Sequence, residues 1–346
     1  MLDAIRAALS EIAQVYRDVR VSYCRVEVAG LEGERCHLAG TVLDAATKAD
    51  VVAALRGRFA GLTFDAGQVR VLRGDPPRLL VVATNLTGLY AGPSFLAEQV
   101  SQLLNGWPVE ALMEEGRWCF VRLPDGYLGW TYLPYLTDKA IAALTHIVCE
   151  PVSELRAAPS VEAPLVNRIL GGTALTAEIE GRWTRIVLAG DPLTLLRPET
   201  HGWLLAGDLR AWSAMPVDAA SRRRQIIGDA TRFIGVPYLW GGCTALGIDC
   251  SGFAQLLHRL SGLIIPRDAD MQFNAGQPAG EPFQPGDLLF FGEGAAEACK
   301  ITHAGVSLGG WRIIHSSRSR NGVQEDDVQA VEHLRENFMG ARTFLS

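Results

Sequence analysis

No stretch of this chain approaches the roughly 18 consecutive apolar residues that a membrane-spanning helix needs, so no membrane span is expected. The N-terminus also lacks the unbroken apolar core of a secretion leader, because Asp3, Arg6, Glu11, Arg17 and Asp18 interrupt Met1 to Arg20. Positive charge is scarce: Lys+Arg total 32 against 38 Asp+Glu, and the net charge of -6 argues against nucleic acid as a partner. The 7 cysteines (Cys24, Cys36, Cys119, Cys149, Cys243, Cys250 and Cys299) form no C-x-x-C pair. An odd count without a tight framework suits a reducing compartment, so the expected location is the cytoplasm, or the cell envelope if a leader has been removed. Zinc held by Cys243, Cys250, Cys299 and His303 is the other reading, and the irregular spacing disfavours it. The expectation is therefore an activity with no metal and no organic cofactor.

What the chain does contain is organised around residues 237–260. Pro237-Tyr238-Leu239-Trp240-Gly241-Gly242 is followed by Gly247-Ile248-Asp249-Cys250-Ser251-Gly252 and then by an apolar-periodic run. Phe253, Leu256, Leu257 and Leu260 recur at the spacing of one helix face, and Gly262 is a plausible stop. Asp249 then falls near the N-cap and Cys250 in the first turn. There the helix dipole and unpaired backbone N–H groups favour thiolate over thiol, which prepares a nucleophile. The alternative is a buried cysteine that packs as a small hydrophobe. The neighbouring glycines favour the nucleophile, because they let a substrate backbone approach.

A nucleophilic cysteine needs a base. In Thr302–Leu308, Ala304, Val306 and Leu308 alternate with His303, Gly305 and Ser307, as in a strand. A second strand-like run, Trp311–Ser317, follows Gly309-Gly310 and contains His315. If the hairpin loop is odd in length, the two histidines share a face; a two-residue loop points them apart. The chemistry favours the odd loop, with His303 as general base and His315 orienting it.

With these residues in view, the region from about 220 to 346 resembles an NlpC/P60 cysteine peptidase domain. The resemblance runs through Tyr238-Leu239-Trp240-Gly241-Gly242, Asp249-Cys250-Ser251-Gly252, Pro266-Arg267-Asp268-Ala269-Asp270-Met271-Gln272, Pro285-Gly286-Asp287-Leu288-Leu289-Phe290-Phe291, His303-Ala304-Gly305-Val306 and Ile314-His315. It implies a papain-like α+β fold that cuts peptidoglycan stem peptides. Cys250 would be the nucleophile, His303 the base and His315 the orienting third residue. Asp249, Ser251 and Trp240 would contact substrate. Asp287 reads as structural, and Arg222-Arg223-Arg224 as a solvated helix start without a partner.

At 346 residues the length suits about two to three domains. Residues 1–75 read as a small α/β unit: a helix from Leu2 to about Tyr16, strands at Val19–Val28 and Arg35–Leu43, a helix capped by Asp44, and a strand at Gln68–Leu72. The order resembles a BON-like domain; a generic α+β packing unit is the alternative. Residues 78–140 and 145–212 form an internal repeat. Ala91-Gly92-Pro93-Ser94 recurs as Ala157-Ala158-Pro159-Ser160, Leu104-Asn105-Gly106 as Leu170-Gly171-Gly172, Gly116-Arg117-Trp118 as Gly181-Arg182-Trp183, and Gly129-Trp130 as Gly202-Trp203. Extra residues near Asp191–Thr200 read as a loop insertion in the second copy. Both copies resemble bacterial SH3 (SH3b) domains, small β-barrels.

Two SH3b copies ahead of an NlpC/P60 domain resemble the γ-D-glutamyl-L-diamino acid endopeptidases. That resemblance implies that Tyr127 of the first barrel, with Asp249, holds the free amine of an N-terminal L-alanine; Tyr90 and Tyr132 are alternatives. The implied substrate is L-Ala-γ-D-Glu-diamino acid in peptidoglycan recycling. The alternatives are a secreted lysin acting on polymeric wall and a catalytically inactive peptidoglycan-binding protein.

Overall fold

The computed structural model describes residues 1–138, 143–189, 201–294 and 300–345. The expected insertion near Asp191–Thr200, and Cys299, lie outside the described residues. Among the described residues no helix is long and apolar enough to cross a membrane.

The N-terminal unit runs α1 (Leu2–Val15), β1 (Cys24–Glu32), β2 (Arg35–Val42), α2 (Ala45–Arg58) and β3 (Thr63–Val71). β2 pairs antiparallel with β1 and parallel with β3. Ile5, Leu9 and Ile12 of α1 and Val51 and Leu55 of α2 bury one stripe each against Leu38, Phe64 and Val69 of the sheet. Asp44 caps α2 by accepting the Thr47 N–H at 2.9 Å, as its position predicts. The first strand starts at Cys24 rather than Val19. Asp18 folds the preceding residues into a turn, accepting the Arg20 N–H on Oδ1 and the Val21 and Ser22 N–H groups on its carbonyl.

Two seven-stranded units follow. The first contains β4 (Leu79–Val82), β5 (Leu86–Tyr90), β6 (Gln99–Leu104), β7 (Pro108–Glu115), β8 (Trp118–Arg122), β9 (Leu128–Tyr132) and β10 (Leu136–Thr137). The second contains β11 (His146–Val148), β12 (Val152–Arg156), β13 (Leu165–Leu170), β14 (Ala174–Glu180), β15 (Trp183–Val187), β16 (His201–Leu205) and β17 (Leu209–Ala211). Their spatial orders are β10-β4-β7-β8-β9-β5-β6 and, read from the opposite edge, β17-β11-β14-β15-β16-β12-β13. Strand for strand these are one topology, so the sequence repeat is a structural repeat. The repeated Gly-Trp has a steric cause. A Cβ on Gly129 would lie 2.6 Å from Leu89, and one on Gly202 would lie 2.6 Å from Leu155, the equivalent leucine.

The C-terminal unit contains α3 (Ala219–Ala230), the short pair β18 (Cys243–Thr244) and β19 (Gly247–Ile248), α4 (Cys250–Leu260), α5 (Ala269–Ala275), β20 (Gln277–Ala279), β21 (Leu288–Glu293), β22 (Lys300–Gly309), β23 (Arg312–Ser317), β24 (Gly322–Asp327), α6 (Glu332–Glu336) and β25 (Phe338–Thr343). Its sheet has the order β20-β25-β21-β22-β23-β24. Phe253, Leu256, Leu257 and Leu260 of α4 are buried in one cluster with Leu288, Phe290, Ala304, Val306 and Ile314. Each such side chain contributes about 1.5–3 kcal/mol by leaving water. At its C-terminus α4 closes with Leu263 N–H on the His258 carbonyl and Gly262 N–H on the Arg259 carbonyl, a Schellman arrangement.

Arg223 departs from expectation. Rather than being solvated, it reaches across to Asp287 Oδ1 at 2.8 Å, while Asp287 Oδ2 accepts the Gln284 N–H and orders the turn into β21. The units also interlock. Leu43 and Leu72 of the N-terminal unit pack with Leu112, Phe120, Leu128 and Trp130 of the first β-unit. Gln102 of β6 accepts the Cys243 N–H at 3.0 Å and the Thr244 hydroxyl at 3.2 Å.

Candidate active site

Asp249 caps α4 in extended geometry and accepts the Gly252 N–H at 2.6 Å, which fixes Cys250 as the first helical residue. The thiol is 8% exposed. The backbone amides of Ser251 and of Ala304 donate toward it. Ala304 follows His303 on β22, so α4 and the histidine strand meet at the sulfur. Tyr238 stands beside Cys250 and Asp249; burial first, then their charges, raise its phenol above the ordinary value.

His303 and His315 lie on adjacent strands. Val306 pairs with Ile314 and Ser307 with Ile313, but after a bulge at Leu308 it is Gly309 that pairs with Arg312. The connection itself has two residues, and the bulge supplies the odd one that puts both rings on one face. His303 Nε2 lies 2.7 Å from His315 Nδ1, and His315 Nε2 lies 3.0 Å from Asp326 Oδ2. A carboxylate can only accept. His315 therefore donates from Nε2 and accepts at Nδ1, His303 donates from Nε2, and the remaining lone pair of the chain is His303 Nδ1. Asp326 also accepts from Gln324 and Arg320.

Burial, and then the Asp249 charge, push the Cys250 thiol up to about 12. Burial, then His315 and His333, push His303 down to about 3. The resting pair is thus neutral thiol and neutral imidazole, which corrects the expectation of a helix-stabilised thiolate. A helix terminus contributes about 0.3–1 kcal/mol, up to about 2 where buried. Isolating a charge from water costs several kcal/mol. The cap that starts the helix is itself an anion, which further offsets the dipole.

Other expected site residues are arranged differently. The Asp249 carboxylate is saturated: Arg267 donates to Oδ1 at 3.0 Å and Oδ2 at 2.7 Å, and Gly241 N–H reaches Oδ2 at 2.9 Å. The Ser251 hydroxyl accepts from Arg267 at 3.0 Å and donates to Asp249. Both side chains serve a buried cluster around Arg267, which is 1% exposed, and only the Ser251 backbone faces the thiol. Tyr127 does not meet Asp249. It is 3% exposed and donates its hydroxyl to Asp268 at 2.9 Å. Tyr90 and Tyr132 stack edge-on with Phe95 and Trp118 in an aromatic group of the first β-unit. Trp240 is 56% exposed and donates Nε1 to Glu98 at 2.8 Å, joining the cleft-side loop to that same unit. Gly252 is small for packing rather than for substrate access, since a Cβ there would lie 2.3 Å from the Gly242 carbonyl oxygen. Cys243 points its thiol at the Gln102 carbonyl. Among the described residues no cluster of His, Cys, Asp or Glu is arranged to hold a metal.

Two residues of this site, Tyr238 and Asp326, escaped the sequence reading. Tyr238 was visible only as a member of a motif, whereas Gln272 was a candidate to line the cleft. Gln272 donates to the Ser251 carbonyl at 3.0 Å and to Pro266 O at 2.8 Å. Asp326 lies in Gln324-Glu325-Asp326-Asp327, where nothing in the local pattern marks one carboxylate over another.

The NlpC/P60 family model matches residues 235–345, the span that holds Cys250, His303, His315 and Asp326. Residues 235–345 are an NlpC/P60 domain. The chain is a cysteine peptidase carrying this domain, and the model of the bacterial dipeptidyl-peptidase SH3 domain matches residues 89–131, within β5–β9. Dipeptidyl-peptidase 6 of Lysinibacillus sphaericus is 28% identical over 268 residues, which cover 73% of this chain and 93% of the relative. The gamma-D-glutamyl-L-lysine dipeptidyl-peptidase of Bacillus cereus is 27% identical over 266 residues, covering 71% and 75%. In fold, the crystal structure of an NlpC/P60 family protein from Bacillus cereus superposes with a TM-score of 0.65 at 22% identity, over 78% of this chain and 100% of that one.

The NlpC/P60 domain carries three histidines that burial holds below the ordinary value of 6.5: His258, lowered to about 4, with His303 and His315. His258 and His303 are neutral when folded and protonated when unfolded near pH 5, and burial acts on His315 in the same direction, so in that range the unfolded chain binds more protons. Stability is expected to be fully present above pH 6.5 and to fall as pH drops toward 4. The slope is roughly 1.4 kcal/mol per pH unit for each histidine that remains neutral. Urea midpoints at pH 7.5 and pH 5 measure it. The variant His258→Gln should show a shallower decline, and a curve parallel to wild type counts against this origin.

Proposed function

We propose that this NlpC/P60 peptidase hydrolyses the γ-D-glutamyl bond to the diamino acid in L-Ala-γ-D-Glu-diamino acid stem peptides, in the cytoplasm, as a recycling step. The observation that carries the reading is the thiol of Cys250 at a helix start, served by the ordered chain His303–His315–Asp326. The names of the relatives, one of them a gamma-D-glutamyl-L-lysine dipeptidyl-peptidase, support the bond and the release of a dipeptide.

His303 Nδ1 takes the thiol proton as the sulfur attacks the γ-carbonyl carbon, so the charge develops only as the bond forms. The tetrahedral intermediate collapses to a thioester, and the imidazolium returns its proton to the leaving amine of the diamino acid. Water, deprotonated by the same nitrogen, then cleaves the thioester and releases L-Ala-D-Glu. Asp326 and His315 keep His303 in the tautomer whose lone pair faces the reaction. We further infer that residues 145–212 are a second SH3b barrel, supported by a strand order identical to the first, and that residues 1–75 form a small α/β domain.

The test compares L-Ala-γ-D-Glu-L-Lys with its N-acetylated form. The free peptide should be cut into L-Ala-D-Glu and lysine. The acetylated one should react about 10²-fold more slowly, because release of a dipeptide requires the site to read a free N-terminus and a capped amine carries no charge. Equal rates on the two, or preference for intact sacculi, would remove the recycling reading.

A further inference from the structure

A side chain of the N-terminal unit reaches the catalytic unit. Arg20, 30% exposed, sits in the turn between α1 and β1. Its guanidinium donates to Asp18 at 2.9 and 2.8 Å, to Asp268 at 2.9 Å, and to both oxygens of Asp270 at 2.8 and 2.7 Å. Its own carbonyl accepts the Leu128 N–H at 2.7 Å. One residue thus joins the N-terminal unit, the first β-unit and the catalytic unit.

The segment it grips has a second grip on its inner side. Asp268 precedes α5 and also accepts from Tyr127. Its neighbour Arg267 points the other way, into the Asp249 and Ser251 side chains and to Ser101 of β6 at 3.0 Å. Gln272, one turn further, holds the Ser251 carbonyl. Cys250 lies between the two residues so held. A solitary surface ion pair is worth about 0–1 kcal/mol and would move nothing. Here one fork bridges three carboxylates, which would repel one another without it, and the residue is pinned through its backbone as well.

We propose that Arg20 is a positioning residue for the thiol: from the N-terminal unit it clamps residues 266–272, and that segment holds Asp249 and Ser251, and with them Cys250, in place against β22. The kinetic consequence rests on Cys250 being the nucleophile, whereas the positional consequence does not.

The experiment uses the full-length chain with Arg20→Met and Arg20→Lys, and follows iodoacetamide alkylation of Cys250 against pH by mass spectrometry of its peptide. In Arg20→Met the loosened helix start admits water to the sulfur. The midpoint should move down toward the ordinary thiol value of 9.0. The alkylation rate at pH 8 should rise at least about threefold while kcat on the stem peptide falls about tenfold at nearly constant KM. Arg20→Lys should lie between, because an ammonium cannot bridge the carboxylates as a fork does. An alkylation profile in Arg20→Met that superimposes on wild type overturns the proposal, even if the urea midpoint drops. Should Arg20→Met not fold, Asp270→Asn weakens the same clamp and is judged by the same profile, with a raised rate supporting and an unchanged one overturning. If the wild type does not cut the peptide, the proposed substrate is wrong and the alkylation arm still decides.

Discussion

Cys250→Ala should reduce hydrolysis of the stem peptide to background, a loss on the order of 10⁶ in kcat, while the chain still unfolds cooperatively within about 1 kcal/mol of wild type. The reasoning is chemical: a thioester needs a thiol, and the nearest other cysteine along the chain, Cys243, has its thiol committed to the Gln102 carbonyl. Ser251, next in sequence, has its hydroxyl committed to Arg267 and Asp249. The structural cost is small, because alanine is the best helix former and the partners the sulfur loses are weak ones, the backbone amides of Ser251 and Ala304. Cys250→Ser should be nearly as inactive. His303 is a weak base in this buried setting, and a hydroxyl holds its proton far more tightly than a thiol does. Release of the diamino acid and the urea midpoint measure the two halves. Turnover above about 1% of wild type in Cys250→Ala would overturn the nucleophile, because a group removed from a concerted constellation leaves almost nothing behind.

The parts of this molecule legible in its sequence are those set by local periodicity. Asp249 as a cap and Phe253, Leu256, Leu257 and Leu260 as a buried stripe follow from spacing, and α4 adopts both. The repeat was readable because equivalent glycines meet equivalent leucines, a constraint that each β-unit imposes on its own sequence. The two histidines share a face as the chemistry required, yet through a bulge at Leu308 that no residue type announces. What stayed hidden depends on long-range pairing. Arg267 finds Asp249 and Ser101, Arg223 finds Asp287, and Arg20 finds Asp268 and Asp270, each a partner that only the tertiary fold brings near. The same holds for protonation. The dipole argument for a thiolate used only the helix, whereas the depth of the site and the charge of Asp249 decide the outcome.

Arg267→Met should be the most destabilising single change in the catalytic unit, costing about 3–5 kcal/mol, because it leaves the Asp249 carboxylate buried without its cation. Arg267 meets four groups at once: both oxygens of Asp249, the Ser251 and Ser101 hydroxyls, and the Gly242 carbonyl. It therefore joins the first β-unit to the start of α4. Arg267→Lys is not a rescue, since three ammonium donors on a flexible stem cannot reproduce the fork. Asp249→Asn alone should also be costly, because it strands the guanidinium. The double variant Asp249→Asn with Arg267→Met should be more stable than the two single losses sum to, by about 2 kcal/mol or more. Urea unfolding of the four proteins closes the cycle. Strict additivity would mean that the pair does not act as a unit and that Asp249 is free to meet substrate, reopening the role its position beside Cys250 first suggested.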